Sequence, residues 1–416
     1  MVSHRLDRPI YGIAPSGPSI FRSPRRRVDI GRAVLGGAAL TAFALAPIEG
    51  YLIAVHPQLG KLTGVLLVGT WLLLRWKISP APRMHAIYVL LNALGAVVLI
   101  STTLHLGHLF TIDYTIRWIP FIVVAAVITD VASTVIGIRP LLGAALAGAT
   151  AAAFGALFSF LVLHEPRASG PLDDPNDLAY VLVAALPLIA AFSPRSTMAR
   201  VCLIGSASVI TAAAATTFSR GGLIALAVAL IWLIVRRAVS AKVIWSLLAA
   251  VSAVGLLIAM TAQQLVSKAL SEKTYIAGEN IDTRLLRWQA AARMLADAPL
   301  FGVGPGGFRE HYTAVSRLAE ISEPTAVAHN MYLEVAAELG ILGLIVFVAM
   351  IVTAFVASEN ALRRGADRTL VVAIQASLLA IVVASAFLSE QYYFPLWSMV
   401  AIACAVSLRI PQVARR

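Results

Sequence analysis

The stretch TAVAHNMYLEVAAELGILGLIVF, running from Thr325 to Phe347, decides the fold. From Met331 onward it is almost wholly apolar, and that character continues to about residue 357. About 20 such residues in an α-helix cross the ~30 Å hydrocarbon core of a bilayer. Runs of the same kind recur along a chain of 416 residues, of which 59% are hydrophobic and 13% charged. A soluble domain carries about 25% charged residues, so lipid is the main solvent here. Inside lipid every backbone N–H and C=O must be satisfied internally, which leaves helical bundles and closed barrels. The runs are continuous rather than alternating, and they select helices. The expected fold class is all-α: a polytopic transmembrane helical bundle with one long, partly helical outer loop.

Twelve spans are expected, at about 33–55, 61–75, 85–105, 117–137, 140–163, 177–193, 199–217, 221–236, 243–264, 331–357, 368–388 and 393–409. The chain then divides into a basic tail (1–32), spans one to nine (33–264), a loop (265–330), spans ten to twelve (331–410) and a short tail (411–416). The two tails and the even-numbered connections hold 22 Lys and Arg, whereas the short odd-numbered connections hold only Lys61, Arg117, Arg167 and Arg220. The excess of positive charge in cytoplasmic loops puts both termini inside and the 265–330 loop outside. The net charge of +12 follows those inner segments. It therefore points to anionic lipid headgroups and away from nucleic acid. The stretch SPRRRVDIGRAVLGGAALTAFALA resembles a cleaved export leader, but the charge count needs it in place as the first span. Cys202 and Cys404 lie inside apolar runs and read as small buried hydrophobes.

Two connections on the outer side are long. In LHEPRASGPLDDPNDLA (163–179), Asp173, Asp174 and Asp177 could hold a divalent metal, or Asn176 or Asp177 could cap the sixth span. In the 265–330 loop, TRLLRWQAAARMLADAP reads as an amphipathic helix. Leu285, Trp288, Ala292 and Leu295 form one stripe and Arg284 with Arg287 another. The following FGVGPGGF matches G-x-G-x-x-G by letter. It lacks the strand and βαβ setting that a dinucleotide site needs, and reads instead as a tight turn against the membrane surface.

Four short features could carry chemistry. Ser219 is a natural N-cap, and Gly221 with Gly222 opens the eighth span. Free N–H groups and the helix dipole there would suit an anion. Arg220 stands on that site with a fork suited to phosphate; its bland reading is an arginine reaching for the interface. Arg284 is either a second cation for the same anion or part of a solvated helix face. His329 is either a base at the water–lipid boundary or a satisfied interfacial histidine, and Asn330 is a cap for the tenth span.

Taken together, TTFSRGGLIAL, TRLLRWQAAARMLADAPLFGVGPGGF and AHNMYLEVAAELGILGL, in this order over about 215–345, resemble the O-antigen ligase/polymerase family of bacterial envelope glycosyltransferases. DPNDLAYVLVAALPL (174–188) fits more loosely. The resemblance implies a metal-independent enzyme without cofactor, in the cytoplasmic membrane, with its active site on the outer face. It implies a donor glycan on undecaprenyl diphosphate and, as acceptor, a hydroxyl on another glycan or on lipid A-core. It implies that Arg220 and Arg284 bind and neutralise the diphosphate, beside Ser219, Gly221 and Asn330. It implies that His329 orients or deprotonates the acceptor hydroxyl, with activity falling as pH drops through an ordinary histidine value of about 6.5. A protein O-oligosaccharyltransferase would differ only in acceptor. A solute transporter would instead need ionisable residues on broken helices near the midplane. The sequence offers few such residues, mainly Glu49 and Asp130, and its purposeful charges read as lying at the outer face.

Overall fold

The computed structural model describes residues 30–81, 83–240, 282–320 and 326–409, with positions 256, 260 and 267 besides. Among them there are helices, turns and no strands. The helices are α1 Ile30–Leu45, α2 Glu49–Val55, α3 Leu59–Leu74, α4 Ala86–Leu104, α5 Thr111–Thr134 and α6 Ile138–Leu161. They continue with α7 Pro175–Ala185, extended by a 3-10 turn Leu186–Ala191, then α8 Thr197–Thr216 and α9 Arg220–Val235. Helix α10 covers 282–297. It is followed by α11 Gly307–Val315, α12 Met331–Arg363, α13 Arg368–Ala384 and α14 Phe394–Arg409.

Among the described residues, seven segments are long and apolar enough to cross a membrane, and four shorter apolar helices (Pro175–Ala191, Arg220–Val235, Arg368–Ala384, Phe394–Arg409) fall where further spans are expected. The chain is a multi-pass helical membrane protein. The expected ninth span, 243–264, and the basic tail lie outside the described residues.

Three of the four short helices, α7, α13 and α14, are the central ones. On α14 every residue from Leu396 to Val406 is buried, and on α7 every residue from Leu178 to Ala185. A helix apolar on all sides belongs in an interior. Around this centre, α3, α4, α5, α6, α9 and α12 turn Leu72, Val89, Ile116, Phe154, Ile231 and Ile345 outward, as a lipid-solvated surface requires. With lipid as apolar as leucine, the helices associate through close packing and internal hydrogen bonds. Ser377 Oγ donates to the carbonyl of Ala184 at 2.6 Å, and Gln375 Nε2 to Ser358 Oγ at 3.1 Å. Asp130 does not lie near the midplane of its helix. It sits in the last turns of α5, where Trp71 donates to it at 2.8 Å and Arg75 pairs with it. Cys404 is buried, but Cys202 faces outward on α8 and is no part of the interior.

Two features set up the end of the bundle that carries α10 and α11, the loop end. First, α12 is broken. Gly340 holds φ 68°, ψ −171°, a conformation closed to residues with a Cβ, and an added Cβ would sit 2.4 Å from the carbonyl of Leu300. Second, the glycine-rich turn docks into that break rather than lying flat on the membrane surface. Val303 N–H donates to Ala337 O at 2.9 Å, Gly304 N–H to Glu338 O at 3.0 Å, and Ile341 N–H to Pro299 O at 2.8 Å. These bonds satisfy the backbone groups that the interrupted helix frees.

Helix α10 forms as expected. Its buried side is Arg287, Ala290, Ala291 and Met294, packed with Phe308, Tyr312, Ala326 and Ala328. Leu285 and Ala292 of the expected stripe are exposed. At a membrane surface the larger apolar residues can turn outward, while alanines allow close approach of the chain.

Candidate active site

His329 stands where the chain enters α12. Asn330 caps that helix, its Oδ1 accepting from the N–H groups of Tyr332 at 3.1 Å and Leu333 at 3.2 Å. To reach the cap, His329 adopts φ 48°, in the left-handed region. A non-glycine residue there stores strain that its surroundings must hold. Four contacts do so. Arg287 Nη1 donates to Val327 O (3.3 Å) and Trp288 Nε1 to Ala328 O (3.1 Å). Ala328 N–H donates to Glu334 Oε2 (3.0 Å), and Met331 N–H to Ser385 O (2.9 Å). The imidazole itself is half-buried and has no hydrogen-bond partner among the described residues.

Its electrostatic neighbours are Arg287, Arg284, Asp174 and Glu334. Burial, then Arg287 and Arg284, push the His329 imidazolium down to about 4, against the opposing pull of Asp174 and Glu334. His329 is therefore neutral at ordinary pH, with a lone pair available. Burial also lowers the Arg284 guanidinium, and the like charge of Arg287 adds to it while Asp174 opposes. Arg284 lies in this group with no ion-pair partner within 4 Å among the described residues. Arg287 differs: Glu320 takes it in a two-point pair, Nη2–Oε1 at 2.5 Å and Nε–Oε2 at 3.1 Å, and Tyr312 O–H donates to the same carboxylate. Arg287 is a fixed cation that positions 327–329, and Arg284 is the free one.

Ser219 does cap α9, accepting from Gly222 N–H at 3.3 Å, and Arg220 occupies the first helical position, fully exposed. No direct contact joins Arg220 to His329. The link is the hairpin between α13 and α14: a Cβ on Gly221 would lie 3.0 Å from the Phe387 side chain, and Ser385 holds Met331. Asn330 Oδ1 is committed to capping, which leaves its amide N–H groups for a ligand.

The structure adds several residues to the surroundings of His329 and Arg284. Asp174, rather than Asn176 or Asp177, caps α7, with Pro175 at its first position. The charge of the same Asp174 opposes the downward shifts of His329, Arg284 and Arg167. Arg167 in turn donates to Thr217 O and Asn176 Oδ1, each at 2.9 Å, tying the 163–174 connection to the mouth of α9. Glu334 and Glu338, both fully buried on the first half of α12, face Arg309 at 3.0 and 3.8 Å. Burial opposes the charge of Arg309, yet these two carboxylates hold it above the ordinary arginine range. Glu334 also accepts from Ser389 and from Gln391 (2.8 Å), and Glu338 Oε2 from Tyr392 O–H at 3.4 Å. The purposeful charges thus extend inside the protein and onto a broken helix, contrary to the expectation that they lie only at its face. The run SEQYY (389–393) between two spans is the signal that could have flagged this hairpin. No group of three or more His, Cys, Asp or Glu among the described residues is arranged to hold a metal ion.

Residues 205–348 match the family model described as O-antigen ligase. Over that segment the chain is similar to the O-antigen ligase/polymerase family. The matched segment begins in α8 and ends in the second half of α12, so it contains Ser219, Arg220, Arg284, His329 and Asn330 but neither Asp174 nor the α13–α14 hairpin. No curated protein matches the chain. The family indicates ligase- or polymerase-type activity on glycans by a membrane-embedded glycosyltransferase-type enzyme.

Proposed function

We propose that this protein transfers a glycan from undecaprenyl diphosphate to a sugar hydroxyl at the outer face of the cytoplasmic membrane. The acceptor is a second glycan or lipid A-core, and the topology is the twelve-span arrangement with both termini inside. The single observation that carries the reading is His329: neutral, unbonded, held in a left-handed bend at the mouth of α12, with Arg284 beside it.

In this reading the acceptor O–H attacks the anomeric carbon, and the bond from that carbon to the diphosphate oxygen breaks. The proton passes to the free nitrogen of His329 and the electron pair leaves with the diphosphate. Arg284 and Arg220 neutralise the charge that develops, in a partly dry site where such donors act strongly. The N–H groups at the start of α9 and the Asn330 amide add donors to the same anion. Arg287 and Glu334 keep the histidine in place. A lipid-linked donor has its tail in the bilayer and its sugar in water, which is why the base belongs at the boundary.

The test uses purified protein in nanodiscs, with geranylgeranyl diphosphate as a binding probe and a lipid-diphosphate-linked glycan for turnover. His329→Ala abolishes transfer and keeps probe binding. Arg220→Ala and Arg284→Ala each cost about 2–4 kcal/mol of transition-state stabilisation, and lysine rescues poorly because it lacks the planar fork. Full activity of Arg220→Ala sinks the clamp. Loss of probe binding in His329→Ala makes that residue a positioning group and not the base.

A further inference from the structure

A cavity of about 510 Å³ lies beside the site, between the junction of α1 and α2, α7, α13 and the start of α14. Its polar side is made by Glu49, Asp173, Asp174 and Asp177, with Tyr392 and Tyr393 beside them. Apart from Ser377, Ser398 and Gly50, the rest of the wall is aliphatic, aromatic and proline side chains. Among the described residues that line it there is no Lys, Arg or His. The wall is braced from behind: Tyr393 O–H donates to Asp177 Oδ2 at 2.5 Å, and the Asp177 carboxylate is hydrogen-bonded to Glu390. Glu390 is 2% exposed and has one carboxyl oxygen without a partner. Two carboxyl groups can share a hydrogen bond only by sharing a proton, and burial together with Asp177 raises the Glu390 carboxyl well above its ordinary range.

The cavity meets the arginine–histidine group through Asp174, which lines the one and is an electrostatic neighbour of His329 and Arg284 in the other. The two sides carry opposite charge. A diphosphate is drawn to Arg220 and Arg284 and repelled by four carboxylic side chains. Carboxylates and tyrosine rings side by side suit the hydroxyls and the apolar faces of a sugar, and favour an ammonium group over a phosphate.

Resting on the transfer reading above, we infer that this cavity is the acceptor subsite, and that it takes a neutral or amino-bearing glycan end and rejects a phosphorylated one. His329 then lies between donor and acceptor, and Asp174 marks the border.

Saturation-transfer NMR on the protein in nanodiscs tests this with three probes: a glucosamine trisaccharide, maltotriose and glucose 6-phosphate. The expected order is the amino sugar first, the neutral sugar next and the phosphorylated sugar without signal. Glu49→Gln with Asp173→Asn weakens the amino sugar by about tenfold, as the loss of charge-assisted hydrogen bonds does, and leaves geranylgeranyl diphosphate binding unchanged. Ala54→Trp, an exposed position on the cavity wall, blocks all sugar binding without touching a carboxylate. The inference is overturned if no sugar binds, if glucose 6-phosphate binds as well as the amino sugar, or if both variants bind sugars normally. It is equally overturned if geranylgeranyl diphosphate displaces the sugars competitively, because the cavity would then house the donor's lipid. Failure of the base assignment shows instead in the turnover and probe binding of His329→Ala, with sugar binding intact.

Discussion

At the scale of single residues, the environment of His329 decides its chemistry. Burial, then Arg287 and Arg284, depress the histidine, so the free protein holds it neutral down to about pH 4. A bound diphosphate offsets Arg287 and Arg284 and returns the imidazole towards its ordinary range, which makes it a stronger base when the donor is present. The acid limb of kcat/KM reports the free enzyme and that of kcat the complex. The acid limb of kcat is therefore expected at the higher pH, and kcat/KM is expected to hold well below 6.5. Coincident limbs, or the reverse order, would sink this account. The expectation of a single fall near 6.5 came from the residue type alone. Arg284, His329 and Asn330 were legible because caps and interfacial cations leave local patterns. Arg287, Arg309, Glu334 and Asp174 act through partners up to 155 positions away, as Asp174 does on His329, and no local pattern carries that.

At the scale of elements, the glycines separate close packing from conformation. Gly340 and Gly365 both hold positive φ, but a Cβ at Gly340 meets the Leu300 backbone at 2.4 Å, whereas Gly365 has nothing within 4 Å. Gly365→Ala is expected to cost only the left-handed strain, about 1–2 kcal/mol. Gly340→Ala adds a backbone clash and displaces the glycine-rich turn from the break in α12. Thermal unfolding in detergent is expected to separate the two clearly, with Gly340→Ala also losing turnover. Equal shifts for both would mean that the docked turn contributes nothing. The sequence shows α10 and the turn as elements, but not the docking of that turn into the break of α12, which pairs positions more than thirty apart.

At the scale of the whole molecule, the proposed orientation rests on the charge distribution. With 22 Lys and Arg in the tails and even-numbered connections, reporter fusions at Arg237 are expected to read cytoplasmic and at Gly304 to read outside. A cytoplasmic Gly304 would move the arginine–histidine group to the wrong side of the membrane for an outer-face transferase. Eleven of the twelve expected span positions coincide with described apolar helices, since hydropathy reports directly on the solvent. What hydropathy could not report is which helices are central. The break in α12 and the cavity beside α7 arise from packing among helices that look alike in composition.

The break at Gly340 also bears on the bilayer itself. Unbroken, the 33 residues of α12 would rise about 50 Å, far beyond the ~30 Å core. A continuous rod of that length tilts to suit each membrane, and its far end swings with the tilt. Here the segment after Gly340 alone suffices to cross, while the nine residues that carry His329 at their head are anchored to the glycine-rich turn and the α13–α14 hairpin. Changes in membrane thickness are thereby absorbed below the break. Turnover in nanodiscs of shorter and longer acyl chains is expected to stay nearly level, so that growth temperature and lipid remodelling leave the geometry around the histidine untouched.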